Sequence, residues 1–237
     1  MATATFYPSK DTWINAHLKD TNYGAANTIF LGALYFGGDK TLLGRGLLGF
    51  DLSGLVGAGV VVAAALTWDY NDVVGVPFSA TFYRLNPAGP WTEGGATYKM
   101  YDGANLWATE GGDWDPVTPA PLGVSLAGAS GSAETLAGFK DFVQDALDNR
   151  GAQLEIICKL DNEIPGVSKV VSPWQRQYGA TGPRLVVDYE QAGRRREGGD
   201  VGTGRERRPR APLRPSAGRA PLGPSSGRRP KSWWASS

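Results

Sequence analysis

The sequence predicts an all-β protein: an antiparallel β-sandwich or jelly roll with one short amphipathic helix and an irregular basic C-terminal tail. Three observations lead to this fold class. The chain contains 33 Gly and 16 Pro together with 8 Trp and 9 Tyr, a composition typical of many turns and aromatic-rich strands. Short runs of alternating apolar and polar residues recur between turn residues. One segment shows helical spacing.

The strands follow from this alternation. In residues 153–160, for example, Leu154, Ile156, Cys158 and Leu160 share one face, so we expect Cys158 to be a buried structural thiol rather than a nucleophile. The predicted strands are residues 3–7, 11–14, 28–31, 45–52, 60–70, 78–85, 97–101, 153–160, 167–172 and 184–190.

The helix is predicted from apolar residues that recur three and four positions apart, beginning with Leu136, Phe139 and Val143. Ser132 is the expected N-cap, and Asn149-Arg150-Gly151 supplies the stop. We therefore expect a helix of about 14 residues whose apolar stripe packs on a sheet.

Charge and composition divide the chain near Glu190. Residues 1–190 hold 12 Lys and Arg against 20 Asp and Glu, a net charge of −8. Residues 191–237 hold 12 Lys and Arg against 3 Asp and Glu, a net charge of +9. We expect a jelly-roll β-sandwich domain over residues 1–190 and an Arg/Pro/Gly-rich low-complexity tail over residues 191–237.

The tail has eleven Arg, six Pro and eight Gly but no Ile, Met, Phe or Tyr, so it cannot bury enough apolar surface to offset its ordering entropy. It is either a solvated tail or an anchor on an acidic surface, such as the −8 domain of a neighbouring copy. Nucleic acid phosphates are a further, less favoured partner. The expected partner-binding residues are Arg194, Arg195, Arg196, Arg207, Arg208, Arg210, Trp233 and Trp234.

Few residues favour a cofactor. One Cys and one His exclude an intramolecular disulfide and a cysteine-built zinc site. The string Gly44-Arg45-Gly46-Leu47-Leu48-Gly49 matches G-x-G-x-x-G, but strand-like residues follow it, so we expect no dinucleotide site. We expect either no cofactor or a structural calcium at Asp113 and Asp115. Ordinary Asx-turns are the alternative for these two residues.

Loop tryptophans are the candidate ligand contacts, because exposed aromatic rings stack on sugar rings or partner surfaces. Packing under their own loops is the alternative for each. The four candidates are Trp91, Trp107, Trp114 and Trp174. No recognisable motif pairs the carboxylates, so no catalytic residue is assigned; Glu93 and Asp113 would be the acids of a lyase or glycosidase.

The N-terminal residues lack the basic and apolar regions of an export signal. We expect synthesis in the cytoplasm and a working location on a virion or extracellular surface. The longest apolar run, Val56 to Leu66, is short and contains two glycines, so no membrane insertion is expected.

Five short strings, in order, resemble the pattern of the DNRLRE-type domain. They are Asp11-Thr12-Trp13-Ile14, Asn22-Tyr23-Gly24, Arg45-Gly46-Leu47-Leu48-Gly49-Phe50-Asp51-Leu52-Ser53, Trp91-Thr92-Glu93-Gly94-Gly95-Ala96-Thr97 and Pro183-Arg184-Leu185-Val186-Val187-Asp188-Tyr189. The resemblance covers about residues 4–190. It implies a carbohydrate-binding-module-like β-sandwich of the kind found in bacterial and archaeal surface proteins and in phage virion proteins.

The strings themselves suggest structural roles. We expect an ion pair between Arg45 and Asp51, and a tight turn after a Trp91 that plugs a sandwich edge. The expected function is a non-enzymatic structural or adhesive surface protein, a capsid-decoration or tail-associated subunit that binds other subunits. A carbohydrate-binding module is the first alternative, and a polysaccharide lyase or glycosidase is the second.

Overall fold

The computed structural model describes residues 1–35, 41–163 and 168–191. Within these ranges lie twelve strands, one α-helix of ten residues (α1, Lys140–Asn149) and two 3₁₀ segments, Ser53–Leu55 and Arg176–Thr181. The predicted all-β class is therefore confirmed. The strands are β1 (Ala2–Phe6), β2 (Lys10–Asn15), β3 (Leu31–Tyr35), β4 (Thr41–Asp51), β5 (Val61–Val74), β6 (Phe78–Leu85), β7 (Trp114–Asp115), β8 (Leu122–Leu126), β9 (Ala133–Ala137), β10 (Gln153–Leu160), β11 (Lys169–Pro173) and β12 (Arg184–Tyr189).

All strand pairs of the described chain are antiparallel, in the order β1-β12-β5-β11-β3-β4-β10-β6-β7, with β2 beside β4, β8 beside β6 and β9 beside β5. β5 is the longest strand, and its two ends have different partners. Leu66 pairs with Leu185 of β12, whereas Val74 pairs with Val170 of β11. One long strand thus joins two ladders. The two-layer packing of a sandwich stays a prediction.

Strand β10 is buried on both faces, as expected of a central strand. Leu154, Ile156 and Cys158 belong to the main core cluster, whereas Ile157 points the other way into a second cluster around Trp91. Cys158 is 2% exposed, as its alternation predicts. Burial raises the pKa of its thiol well above the ordinary value, which suppresses thiolate reactivity.

The helix begins later than predicted. The segment after Ser132 forms β9, paired with β5, so Ser132 is not an N-cap. Its hydroxyl instead closes the turn that precedes β9. Gly138 then separates β9 from α1 with a φ of +101°, a conformation that favours glycine. The prediction of one continuous helix was wrong because the spacing of Leu136 and Phe139 also fits a strand followed by a turn.

Other differences lie in the loops and at strand ends. The strand predicted over 28–31 is observed slightly later as β3, and residues 97–101 form no strand. There the Thr97 hydroxyl accepts hydrogen bonds from two following N–H groups, which holds a turn instead. The short strands β7 and β8 were not predicted, since Gly or Pro residues flank each of them and indicate loops, and β9 was included in the predicted helix.

The glycine string of residues 44–49 lies wholly inside β4, so the strand-to-helix turn of a dinucleotide site is absent there. These glycines serve packing. A Cβ on Gly44 would lie 2.5 Å from Phe30 Cδ1, and one on Gly46 would lie 2.9 Å from Ile29 Cγ2. The side chains of Ile29 and Phe30 therefore pack directly against the glycines of β4.

Candidate functional site

Two of the four candidate tryptophans are core residues in this structure. Trp91 is 1% exposed and Trp107 is 4% exposed. Both belong to the second core cluster, and the Trp107 indole N–H donates to the Thr97 carbonyl at 2.8 Å. The long loop after β6 thus packs on its own aromatic side chains. Neither ring offers a face to a ligand, so packing under their own loop is the alternative that the geometry favours.

The other two tryptophans are half-buried. The Trp114 ring is flanked by the Arg45 guanidinium at 5.3 Å and by Lys159 Nζ at 5.1 Å, so cations already occupy its surroundings. Trp174 packs against Tyr178 with ring centroids 4.6 Å apart, and Tyr178 is 39% exposed. The Trp174–Tyr178 pair is therefore the better aromatic contact surface. Tyr178 was missed by the sequence analysis, although it follows Trp174 within one turn.

The two carboxylates predicted to bind calcium face hydrogen-bond donors. Asp113 accepts two backbone N–H groups at 2.7 Å. Hydrogen bonds from the Thr118 and Val117 N–H groups, followed by the charge of Arg84, hold the pKa of Asp115 below its ordinary value. This is the Asx-turn alternative. Within the described ranges, no group of three or more His, Cys, Asp or Glu side chains is placed to hold a metal ion.

Arg45 does not pair with Asp51, so that prediction was wrong. Six residue steps along β4 separate the two by roughly 20 Å. The Arg45 guanidinium instead forms two hydrogen bonds to the Glu163 carboxylate, at 2.8 and 2.7 Å, and a third to the Gly111 carbonyl at 2.7 Å. Asp51 accepts the Ser53 N–H at 2.9 Å. The partner of Arg45 comes from a distant segment, which spacing along one strand could not show.

A buried carboxylate forms the centre of the most unusual charge cluster. Asp11 on β2 is fully buried, and its Oδ2 accepts the Arg176 backbone N–H at 2.7 Å. The Arg176 guanidinium lies 3.6 Å from Oδ1 and 2.5 Å from the Glu93 carboxylate. Among the described residues, Oδ1 has no hydrogen-bond partner. Burial, reinforced by Glu93 and opposed by Arg176, raises the pKa of Asp11 to about 7.

Three of the five family-like strings meet at this cluster. The Asn22 side chain donates to the Glu93 carbonyl at 2.7 Å. Gly24 lies so close that a Cβ there would be 2.4 Å from the same oxygen. The Gln175 amide donates to the Tyr23 carbonyl at 3.2 Å. These contacts fasten β2, two loops and the 3₁₀ segment together. Because Asp11 is closed to solvent, the cluster is arranged as a structural junction rather than as a catalytic acid pair.

Beside this junction lies a partly exposed polar and aromatic surface. It consists of Trp174, Arg176, Tyr178 and Arg184, and we call it the 174–184 surface. Arg176 has 40% of its side chain exposed, and Arg184 lies 3.4 Å from Asp69. Aromatic rings beside ion-paired side chains can contact a sugar or a partner protein. Sequence analysis found Trp174 but not Arg176, whose partners are remote in sequence.

We call residues 1–191 the β domain. Most of its described basic side chains form ion pairs. In the described part of the chain, nine of eleven Lys and Arg side chains contact a carboxylate; Lys140 and Lys169 do not. Ten described acidic side chains remain outside these pairs. They are Asp51, Asp72, Asp102, Asp113, Glu134, Asp141, Asp148, Asp161, Asp188 and Glu190. The negative charge of the domain is therefore left uncompensated by its own cations.

The predicted partner-binding residues of the tail, Arg194 to Trp234, lie outside the described residues. Over the described ranges, no helix has the length and apolar character needed to cross a membrane. No family model matches the chain, and no curated protein is significantly similar to it.

Proposed function

We propose that this chain is a non-enzymatic structural or adhesive surface protein, a virion-type decoration or tail-associated subunit. In this proposal it self-associates or docks on a larger assembly, and the basic tail of one copy is attracted to the acidic β domain of another. The observation that carries the proposal is the charge distribution: residues 191–237 have a net charge of +9, while ten carboxylates of the β domain lack an ion-pair partner among the described residues.

Several features support this proposal. Opposite charges on complementary surfaces steer association and raise its rate. The resemblance to the DNRLRE-type domain, which occurs in surface and virion proteins, points to the same class. The carboxylates that a glycosidase would use are engaged otherwise, because Glu93 binds Arg176 and Asp113 binds backbone N–H groups.

Size-exclusion chromatography with light scattering tests the proposal on the full chain. The double variant Arg207→Gln/Arg208→Gln should raise the dissociation constant of the oligomer about fivefold, because each exposed charge pair contributes a few tenths of a kcal/mol. The matched control is Lys140→Gln/Lys169→Gln, which removes the same charge from the β domain and should not weaken association. A strictly monomeric wild-type protein, or equal weakening by both doubles, contradicts the proposal.

Binding of an extracellular polysaccharide is the second candidate function. It is favoured by the Trp174–Tyr178 pair, of which Tyr178 is exposed and Trp174 half-buried, and by the carbohydrate-binding character of the family that the chain resembles. On a glycan array, Trp174→Ala and Tyr178→Ala should each abolish binding, while Tyr35→Ala, a tyrosine with the same 39% exposure, should not. A wild-type protein that binds neither acidic nor neutral polysaccharides excludes this function.

A further inference from the structure

An apolar groove lies across β12, β5 and β9, on the face of these strands that points away from the core. Val186, Ala65 and Ala137 are paired in one row across the three strands, while the neighbouring residues Leu66 and Leu136 belong to the core. The volume of the groove is about 310 Å³, at the lower end of the ~300–1,000 Å³ range of ligand pockets. It can therefore take a large side chain, but not a folded element of a partner.

Small residues keep this groove open. β5 bulges at Val62, where its register against β12 shifts. On the other side Gly138 turns the chain from β9 into α1, and Lys140 forms the end of the groove. Ala63 and Ala137, which also line it, are exposed. Because alanine and glycine carry no side chain long enough to cover the floor, aliphatic surface remains open to a partner.

The rim of the groove carries more negative than positive charge. Asp188 and Lys140 both line it, and Asp141 follows in the first turn of α1. Glu190 lies beside the start of β5, where its N–H donates to the Val60 carbonyl at 2.9 Å. Among the described residues, neither Lys140 nor any of these three carboxylates has an ion-pair partner. A matching partner therefore combines an apolar side chain with positive charge.

The C-terminal end of the chain has this combination. Its last residues are Arg228-Arg229-Pro230-Lys231-Ser232-Trp233-Trp234-Ala235-Ser236-Ser237. Three cations thus precede two indole rings, and these two rings are the only aromatic side chains of residues 191–237. Trp and Arg are the side chains that most often dominate the binding energy of protein interfaces.

We propose that the groove binds the Trp233-Trp234 end of the tail of a neighbouring copy, with an indole ring on the alanine floor and the preceding cations beside Asp188. This inference rests on the proposed function and names the place at which the tail binds. Charge attracts the tail to the β domain and remains necessary for association. The apolar contact determines which part of the surface the tail occupies.

A peptide titration tests the groove itself. The full chain with Trp233→Ala/Trp234→Ala is titrated with a synthetic peptide of residues 227–237, and its backbone amides are followed by NMR. The dissociation constant should lie between ~10 μM and ~1 mM. We expect saturable shifts of the groove amides, residues 62–65, 137–140 and 186–188. The same peptide with alanine in place of both tryptophans should bind at least about tenfold more weakly, because it keeps the charge but lacks the aromatic rings.

Ala137→Gln on the same background is the groove variant. A longer polar side chain at this exposed position fills the groove without entering the core, so the dissociation constant of the peptide should rise at least about tenfold. Ala133→Gln is the matched control, because Ala133 is also exposed on β9 but does not line the groove. Absence of saturable shifts at the groove, equal binding of the peptide without tryptophan, or equal affinity in the two variants overturns the proposal.

Light scattering tests whether this contact links copies. In the full chain, Trp233→Ala/Trp234→Ala and Ala137→Gln should each raise the dissociation constant of the oligomer at least about tenfold. The two changes together should weaken association no further than either does alone, because they remove the same contact. An oligomer that is unaffected by both changes overturns this inference and leaves the proposed function standing. A strictly monomeric wild-type protein contradicts the proposed function and, with it, the link between copies.

Discussion

At the scale of single residues, Asp11 makes the stability of the β domain depend on pH. Its ordinary pKa is 3.8, and burial raises the pKa in the folded chain to about 7. Below about pH 4 the carboxyl is protonated in both folded and unfolded chains. As the pH rises towards 7, the unfolded chain ionises while the folded chain keeps its proton. The contribution of Asp11 to the free energy of unfolding therefore falls across this range and is constant above it.

We predict that Asp11→Asn removes this dependence. An asparagine oxygen can still accept the Arg176 N–H, and it carries no charge to desolvate. The unfolding free energy of the variant minus that of the wild type should increase by on the order of 4 kcal/mol as the pH rises from about 4 to about 7. Urea unfolding across this range measures the difference.

Asp102→Asn is the control for that measurement. Hydrogen bonds from Asn105 and Ala104 lower the pKa of Asp102, so this carboxylate stabilises the fold above its unfolded pKa. The unfolding free energy of Asp102→Asn minus that of the wild type should therefore decrease as the pH rises, opposite to the change expected for Asp11→Asn. A difference between Asp11→Asn and wild type that does not change with pH would contradict the buried-carboxylate account.

At the scale of elements, β4 depends on its glycines for close packing. A Cβ on Gly44 would lie 2.5 Å from both the ring and the backbone oxygen of Phe30, and backbone yields less readily than a flexible side chain. Gly44→Ala should therefore lower the free energy of unfolding by about 1–3 kcal/mol. Gly54→Ala is the matched control, because its nearest neighbour would be 3.9 Å away, and it should change stability by less than about 0.5 kcal/mol. Chemical denaturation compares the two; equal effects would contradict this packing role.

The elements also show how far sequence reasoning extends. Long alternating runs such as β5, β6 and β10 are predicted because one face must be apolar whatever its partner is. The boundary between β9 and α1 is not predicted, because the position of Leu136 fits both a helical and a strand periodicity. Its pairing with β5 in the folded chain makes this segment a strand. The candidate site likewise contains residues that the sequence indicates and one that it does not. Glu93 is a candidate acid in the sequence and Asp11 begins the first of the five strings, but Arg176 joins them only through the folding of a distant segment.

At the scale of the whole molecule, charge within the β domain and charge between copies of the proposed assembly have opposite consequences. Ten described carboxylates without an ion-pair partner repel one another, so screening should stabilise the domain or leave it unchanged. The proposed attraction between the tail and the β domain is also electrostatic, and screening should weaken it. The Debye length falls from about 10 Å at ~0.1 M salt to about 3 Å at ~1 M salt, so both effects are accessible in one experiment.

We predict that raising sodium chloride from ~0.1 to ~1 M dissociates the proposed assembly without lowering the melting temperature of the β domain. Light scattering follows the first quantity and calorimetry follows the second, on the same samples. Sodium sulfate at equal ionic strength is a useful comparison, because sulfate strengthens apolar burial while it screens charge. If association is mainly apolar, sulfate should preserve the oligomer; if it is electrostatic, both salts should dissociate it. An oligomer that survives high sodium chloride would exclude charge complementarity as the force that holds the copies together.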